Sequence, residues 1–167
     1  MEQDNTEATL ISYTYRLLGR RDYSRHELRQ KLATKSKFLS VKQQLTKDSI
    51  EQLVEKVLDY FEEEQLQSDA KFTAAYIRHS ISKGWGPIKI RYKLQQRGVA
   101  GDVIAAEMQQ DDDFWKTKLL EIITNKYNPP FANLDDQNKC QRFLMSRGFI
   151  SGHIVQVLRD MHKESRG

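Results

Sequence analysis

Hydrophobic positions recur along this chain with the period of a helix. Ile50, Leu53, Val54, Val57, Leu58 and Phe61 fall at offsets 0, 3, 4, 7, 8 and 11, a single apolar stripe on an otherwise polar segment. Ile154, Val157, Leu158 and Met161 make the same pattern near the C-terminus, and Trp115, Leu119, Ile122 and Ile123 make it in between. A weaker version near the start uses Leu10, Thr14, Leu17 and Leu18. No segment alternates apolar and polar residues as a half-buried strand does. The pattern predicts an all-α fold.

Helix boundaries show that one unit is used repeatedly. Gly84 is suited to ending a helix in the left-handed conformation, and Gly86 to capping the next. Pro87 then sits in the first turn, where its missing N–H costs nothing. Trp85, before the cap, faces Ile90 at the fourth helical position as a hydrophobic staple. Sixty-two residues earlier the same grammar reads Ser24 as cap, Glu27 as its capping-box partner and Tyr23 as the staple on Leu28. Leu28 and Leu32 then match Ile90 and Leu94. Fifty residues later Asp136 takes the cap position, with Cys140 and Leu144 in the core positions. Lys89-Ile-x-x-x-Leu94-x-x-Arg97-Gly98-Val99 accordingly returns as Lys139-Cys-x-x-x-Leu144-x-x-Arg147-Gly148-Phe149.

The architecture expected is three tandem three-helix, helix-turn-helix-like repeats, at residues 8–66, 67–111 and 112–164, in an elongated, curved arrangement. The predicted helices are 8–19, 24–36 and 48–65; 69–82, 86–97 and 100–110; and 113–127, 136–147 and 151–164. Ser49 and Gln52 form a candidate capping box for the third of these. Ala33–Lys47 reads as a long polar, basic connection, and Asn128–Leu134, with Pro129 and Pro130, as a second break.

Composition narrows the class. With 38% hydrophobic and 30% charged residues, much of the surface is expected to be exposed. The opening Met-Glu-Gln-Asp-Asn has no basic and apolar leader, so no signal peptide is expected. No apolar run approaches the roughly 18 residues of a membrane span. The single Cys140 permits no internal disulfide and fits a reducing, cytoplasmic setting. A net charge of +4 conceals strong blocks. Residues 16–47 hold ten bases and two acids, residues 48–70 one base and eight acids, and residues 71–100 seven bases and no acid.

That acid-free window supplies the candidate chemistry. Lys89, Lys93 and Arg97 lie four apart and predict a basic ridge beside the Ile90–Leu94 core stripe. Such a ridge suits a phosphate backbone or an acidic protein groove, because neutralising a polyanion releases its counterions. Lys83 and Arg91 belong to the same window, and Arg25 and Arg29 form a similar ridge in the first repeat. Arg20 and Arg21, at a helix end beside a turn, are placed to reach a partner. Trp85 has two readings, as the packing staple or as a residue that stacks on a base or anchors in a partner pocket. Tyr76 and Tyr92 read as half-buried packing residues. Arg97, Arg147 and Lys35 also fit as last-turn cations, favoured by the helix dipole by about 0.3–1 kcal/mol.

Catalytic readings find no support. There is no phosphate-binding glycine loop and no nucleophile elbow, and His26, His79, His153 and His162 are scattered without metal-ligand spacing. No catalytic residue, cofactor or metal is expected. Cys140 reads as a small core residue, and Asp111-Asp112-Asp113 as an acidic helix N-terminus rather than a cation site. Three readings then compete: a repeat protein that meets a polyanion, a helix-turn-helix DNA-binding protein using residues 86–110, and a scaffold for an acidic partner. Acidic third helices (Glu51, Glu55, Asp59 and Glu62; Asp102 and Glu107) count against groove reading of DNA.

At these residues the chain resembles the RecX family, regulatory proteins of the RecA recombinase. The resemblance spans roughly residues 10–161 and is densest in the middle repeat. It rests on the Asp69–Phe72 start, the Lys83–Pro87 turn and Ile90-Arg91 through Leu94, Arg97 and Gly98. The arginine-rich Arg20–Arg29 segment with its Ser-x-x-Glu-Leu core adds to it. Two departures from the family pattern stand out: Ser80 and Ser82 occupy positions where arginines are usual, and Thr73 one where alanine is. The resemblance implies a monomeric, non-enzymatic regulator acting in homologous recombination, DNA repair and the SOS response. It would lie in the groove of the RecA–single-stranded DNA filament, inhibit ATP hydrolysis and strand exchange, and promote disassembly. Its basic face would meet recombinase subunits and, as a further partner, single- or double-stranded DNA.

Overall fold

The computed structural model describes residues 2–43, 46–127, 129, 131 and 133–164. Among these residues it contains nine helices and no strand. They are α1 (Glu2–Leu18), α2 (Arg25–Gln43), α3 (Lys47–Glu63), α4 (Asp69–Ser82), α5 (Pro87–Gln96), α6 (Gly101–Glu107), α7 (Asp112–Tyr127), α8 (Leu134–Ser146) and α9 (Ser151–Glu164). No described helix is long and apolar enough to cross a membrane.

Most boundaries follow the caps that the sequence announces. Ser24 caps α2 as expected: its Oγ accepts the Glu27 N–H at 3.1 Å, and the Glu27 carboxylate accepts the Ser24 N–H at 3.4 Å. Gly84 takes φ +71° at the end of α4, where the Trp85 N–H reaches the Ser80 carbonyl at 3.0 Å. Three boundaries differ from expectation. Thr46, not Ser49, caps α3, its side chain accepting the Ser49 N–H at 3.2 Å. Asn133, not Asp136, caps α8. Asp136 instead donates its N–H to Asn133 Oδ1 at 2.9 Å and accepts the Asn133 amide at 3.1 Å. Finally, α2 continues to Gln43, so most of the predicted connection is helix. That stretch holds no glycine or proline to stop it, and Thr34 and Ser36 donate their hydroxyls back to helix carbonyls.

The described chain forms two compact units. The first comprises α1 to α3, the start of α4 and the segment Gln95–Glu107. Leu10, Leu17, Tyr23, Leu28, Leu32, Leu53, Val54, Val57, Leu58 and Phe61 form its core, and the stripe foreseen on α3 is buried except for the partly buried Ile50. The second comprises Ala75–Leu94 and the chain from Met108 onward. There Ile90, Leu94, Trp115, Leu119, Ile123, Cys140, Leu144, Phe149, Ile154 and Leu158 are buried. Cys140 is fully buried, and desolvation raises its thiol to about 11.

The recurring Arg-Gly pair has a structural role in each unit. In the first, Ser24 donates its hydroxyl to the Arg97 carbonyl at 2.6 Å, and the Arg97 guanidinium pairs with the Glu27 carboxylate. Gly98 sits at φ +72°, and a Cβ there would collide with the His26 side chain. In the second unit the Gly86 N–H reaches the Arg147 carbonyl at 2.8 Å and the Ile88 N–H the Gly148 carbonyl at 3.0 Å. Gly148 takes φ +85°, and a Cβ there would collide with Lys89. One turn therefore docks twice on the same feature, the start of a second helix of the repeat grammar. The sequence supplied Gly86 as a cap; the structure adds that a side chain at Gly86 would collide with the Gly148 carbonyl.

Asp69, at the start of α4, has a structural role of the same kind. Its carboxylate accepts the Arg25 N–H at 2.7 Å and the Gln67 amide at 2.8 Å, so it caps α2 rather than a ligand. Thr73 is fully buried, and its hydroxyl has no hydrogen-bond partner among the described residues.

Two stability outcomes are expected. Gly148→Ala should destabilise by more than the ~1–2 kcal/mol of left-handed strain alone, whereas Gly152→Ala, in open space on α9, should be neutral or stabilising by up to about 1 kcal/mol. Denaturant unfolding of the two variants checks the contrast. Thr73→Val, which replaces the orphaned hydroxyl by a methyl, should raise the unfolding free energy by about 1 kcal/mol.

Candidate partner-binding faces

The basic residues singled out in the sequence divide into those spent on intramolecular pairs and those left at the surface. In the first unit, α2 presents Arg25 and Arg29 to the acidic face of α3. Arg25 Nη1 donates to Glu62 at 2.5 Å, and Nη2 to Asp59 at 2.6 Å and to Glu55 at 3.1 Å. Arg29 grips Glu55 with Nε at 2.5 Å and Nη2 at 2.9 Å, the two-pronged geometry of a guanidinium–carboxylate pair. Burial works against the charge on Arg25, but its hydrogen bonds with Asp59 and Glu55 outweigh it and raise its pKa. The hydrogen bond with Glu55 raises Arg29, and the same bond holds the Glu55 carboxyl below its ordinary value. The ridge expected at Arg25 and Arg29 is thus engaged by acids of its own chain, because six of the eight acids of residues 48–70 lie in α3, which folds back along α2.

Arg21 is also held. Its guanidinium lies 3.6 Å from the Tyr23 ring centroid, donates to the Asp22 carbonyl at 2.8 Å and pairs with Glu27 at 3.2 Å. Arg20 remains exposed in the turn after α1. Beside it lies a basic, aromatic surface that the sequence reading missed. Tyr13, Arg16, Arg20, Tyr23 and Lys31 line one shallow cavity, and Lys35 joins Tyr13 and Lys31 in its neighbour. Arg16 and Lys35 approach the Tyr13 ring at 5.7 and 5.8 Å, and Lys31 the Tyr23 ring at 5.6 Å. The signal was present in the basic block 16–47, but which bases α3 would neutralise depends on which side of α2 faces it.

In the second unit Lys83 is exposed at the end of α4, and its carbonyl accepts Arg147 Nη1 at 3.3 Å. Trp85 is half-buried, with the Lys89 ammonium 4.8 Å from its ring centroid. Arg91 is exposed on α5. Lys93 lies 5.6 Å from the ring of Tyr92. Tyr92 is 55% exposed and not the packing residue expected, and Ile88, one turn earlier, is 56% exposed. With Ile90 and Leu94 pointing inward, a residue two positions away lies about 200° round the helix and faces out. Tyr76 is partly buried, as read.

Arg97 departs from the ridge. Because α5 ends at Gln96 and Gly98 turns left-handed, Arg97 no longer follows the helical spacing of Lys89 and Lys93, and it pairs with Glu27. Of the two departures from the family pattern in this region, Ser80 is buried and Ser82 exposed, so only Ser82 alters the surface. Asp111 caps α7 by accepting the Phe114 N–H at 2.8 Å. Among the described residues no group of three or more His, Cys, Asp and Glu is placed to hold a metal.

The Glu55 pair sets a pH dependence. A carboxyl held below its ordinary value of 4.5 adds stability above that pH, and the contribution is lost as pH falls through its folded value. Glu55→Gln should therefore lower stability near neutrality and flatten its acid limb. Melting temperatures of parent and variant across the acid range check this.

Known proteins place this arrangement. The sequence pattern described as RecX, second three-helix domain, matches residues 68–108. A regulatory protein RecX from Chromohalobacter salexigens is 36% identical over 143 residues, covering 86% of each chain. One from Escherichia coli is 30% identical over 154 residues, covering 92% of each. Among solved structures, RecX from Lactobacillus salivarius superposes with a TM-score of 0.70 at 18% identity, over 95% of this chain and 98% of that one. A crystal structure of a regulatory protein RecX gives 0.68 at 22%, over 95% and 73%. The nine-helix fold, its repeated Arg-Gly turns and these similarities together show that the chain belongs to the RecX family of regulatory proteins.

Proposed function

We propose that this protein is a non-enzymatic, cytoplasmic regulator of the RecA recombinase, built from three-helix repeats at residues 8–66, 67–111 and 112–164. It binds as a monomer in the groove of the RecA–single-stranded DNA filament, inhibits ATP hydrolysis and strand exchange, and promotes disassembly. Family membership supports the regulatory role. The observation that carries the choice of surface is the acid-free window 71–100, whose Lys83, Arg91 and Lys93 lie on or beside α5 with the outward Ile88 and Tyr92. Cations around exposed apolar residues suit an acidic protein groove with a hydrophobic anchor point. Arg20 with Arg16, Lys31 and Lys35 forms a second basic surface.

A helix-turn-helix protein acting on DNA without RecA is the alternative. It would need a recognition helix, and α6 has seven residues and carries Asp102 and Glu107. RecA ATPase on single-stranded DNA, titrated with this protein, separates the two. The filament reading expects inhibition at or below one regulator per recombinase; DNA binding without inhibition favours the alternative. Changing Lys83, Arg91 and Lys93 together to Ala should weaken filament binding with helicity intact. Each cation acting on phosphate should contribute about 1 to the salt slope. Arg97→Ala should instead lower stability, since it removes one of the two guanidinium partners of Glu27, and a stable Arg97→Ala variant that fails to inhibit would return Arg97 to the binding face.

A further inference from the structure

The second unit contains a cavity that neither the core nor the basic helix accounts for. It lies between the C-terminal half of α4, the turn at Gly84-Trp85 and α7, and encloses about 360 Å³. Its walls include Trp85, Trp115 and Phe149, and Trp115 and Phe149 are themselves buried, with ring centroids 6.2 Å apart. Both tryptophans of the chain therefore line one small space. Arg78, Lys118 and Asn125 stand at its partly or fully exposed margin. Glu121, the one acid on the lining, already holds Lys118 at 2.7 Å. Arg78 forms no ion pair with a described residue and belongs to the acid-free window. Gly84 contributes no side chain to the wall; a Cβ there would stand 3.5 Å from Ile122 Cδ1.

We propose that this cavity receives one unstacked base of a single-stranded nucleic acid. Its volume is at the lower end of the roughly 300–1,000 Å³ typical of ligand sites, which suits a single ring system. The half-buried Trp85 supplies a stacking surface that any base can use, and Asn125 and the exposed Ser82 offer hydrogen-bonding groups for a base edge. A base arrives attached to phosphate, and Arg78 at the margin meets that charge. An apolar side chain from a protein partner would fill the same walls but make no use of the cation. The site goes beyond the filament reading, because it requires no recombinase.

Both tryptophans report on the cavity, so tryptophan fluorescence tests it directly on the full chain without RecA. Oligo-dT should quench the emission saturably. An abasic oligomer of equal length, with the same phosphates and no bases, should bind at least about 5-fold more weakly and leave the emission unchanged. Trp85→Ala should weaken oligo-dT binding roughly 5- to 150-fold, the range carried by base–aromatic stacking. Since Trp85 also packs, Asn125→Phe provides a second variant: it plugs the cavity from an exposed position, and should abolish quenching with the circular dichroism unchanged. Equal binding of oligo-dT and the abasic oligomer would overturn the proposal in favour of phosphate contacts alone. Undiminished quenching of Asn125→Phe would overturn it as well. Inhibition of RecA ATPase, measured on the same preparations, keeps the two readings apart. An inhibitory protein without base-dependent quenching sinks only the cavity, and base-dependent quenching without inhibition sinks only the filament reading.

Discussion

A left-handed Arg-Gly turn seated on the start of another helix is the contact on which this architecture depends. Each short helix pair buries too little apolar surface to stand alone, so elements distant in sequence must be held by backbone geometry as well as side-chain burial. At Ser24 a hydroxyl receives the turn's carbonyl, and at Gly86 a bare N–H does so. The two solutions satisfy the same orphaned carbonyl. Glycine is required in the turn for two reasons at once: the positive φ, and the approach of a neighbouring helix close enough to exclude a Cβ. This docking also explains why the compact units cut across the repeat grammar. The segment after Leu94 packs with α1 to α3, while the start of α5 packs with the turn after α8.

Charge is arranged by the same folding. Opposite blocks that follow each other in sequence become neighbours when α3 lies along α2, and Arg25 and Arg29 are consumed by Glu55, Asp59 and Glu62. Exposed pairs of this kind contribute little stability individually. Their larger effect is on what remains outside: with one side of α2 neutralised, Lys31 and Lys35 on another side stay with Arg16 and Arg20 as a cationic surface. Residues 71–100 have no acid to pair with locally, and Arg97, beyond the end of its helix, reaches Glu27. A selected subset of the basic residues therefore remains at the surface.

Much of the fold was legible because it rests on local rules. The apolar spacing on α3, the Ser24–Glu27 box, Gly84 as terminator and the Gly86-Pro87 start all act within one or two turns of chain. The misplaced caps show the limit of that reading. Ser49 and Asp136 are plausible caps in isolation, but Thr46 and Asn133, three residues earlier, offer the same chemistry, and the helix begins at the first site that works. The long α2 was hidden because polar composition was read as a loop, although nothing in it breaks a helix. For the candidate site, Lys83, Lys89, Arg91 and Lys93 came from the charge pattern. Tyr92 and Ile88 did not, since an apolar residue on a short helix reads as core until its neighbours are known.

By itself the sequence determined the helical class, the repeated unit, the core positions and the family, because each is written in spacing and in short recurring motifs. The tertiary structure decided which cations are used up and which face out, what the Arg-Gly turn is for, and that both tryptophans share one cavity. These depend on which helix face meets which, and therefore on contacts between residues such as Arg97 and Glu27, far apart along the chain. In the basic, acid-free stretch 71–100, Gly86 and Gly98 serve as docking points, while its last arginine, Arg97, belongs to the fold.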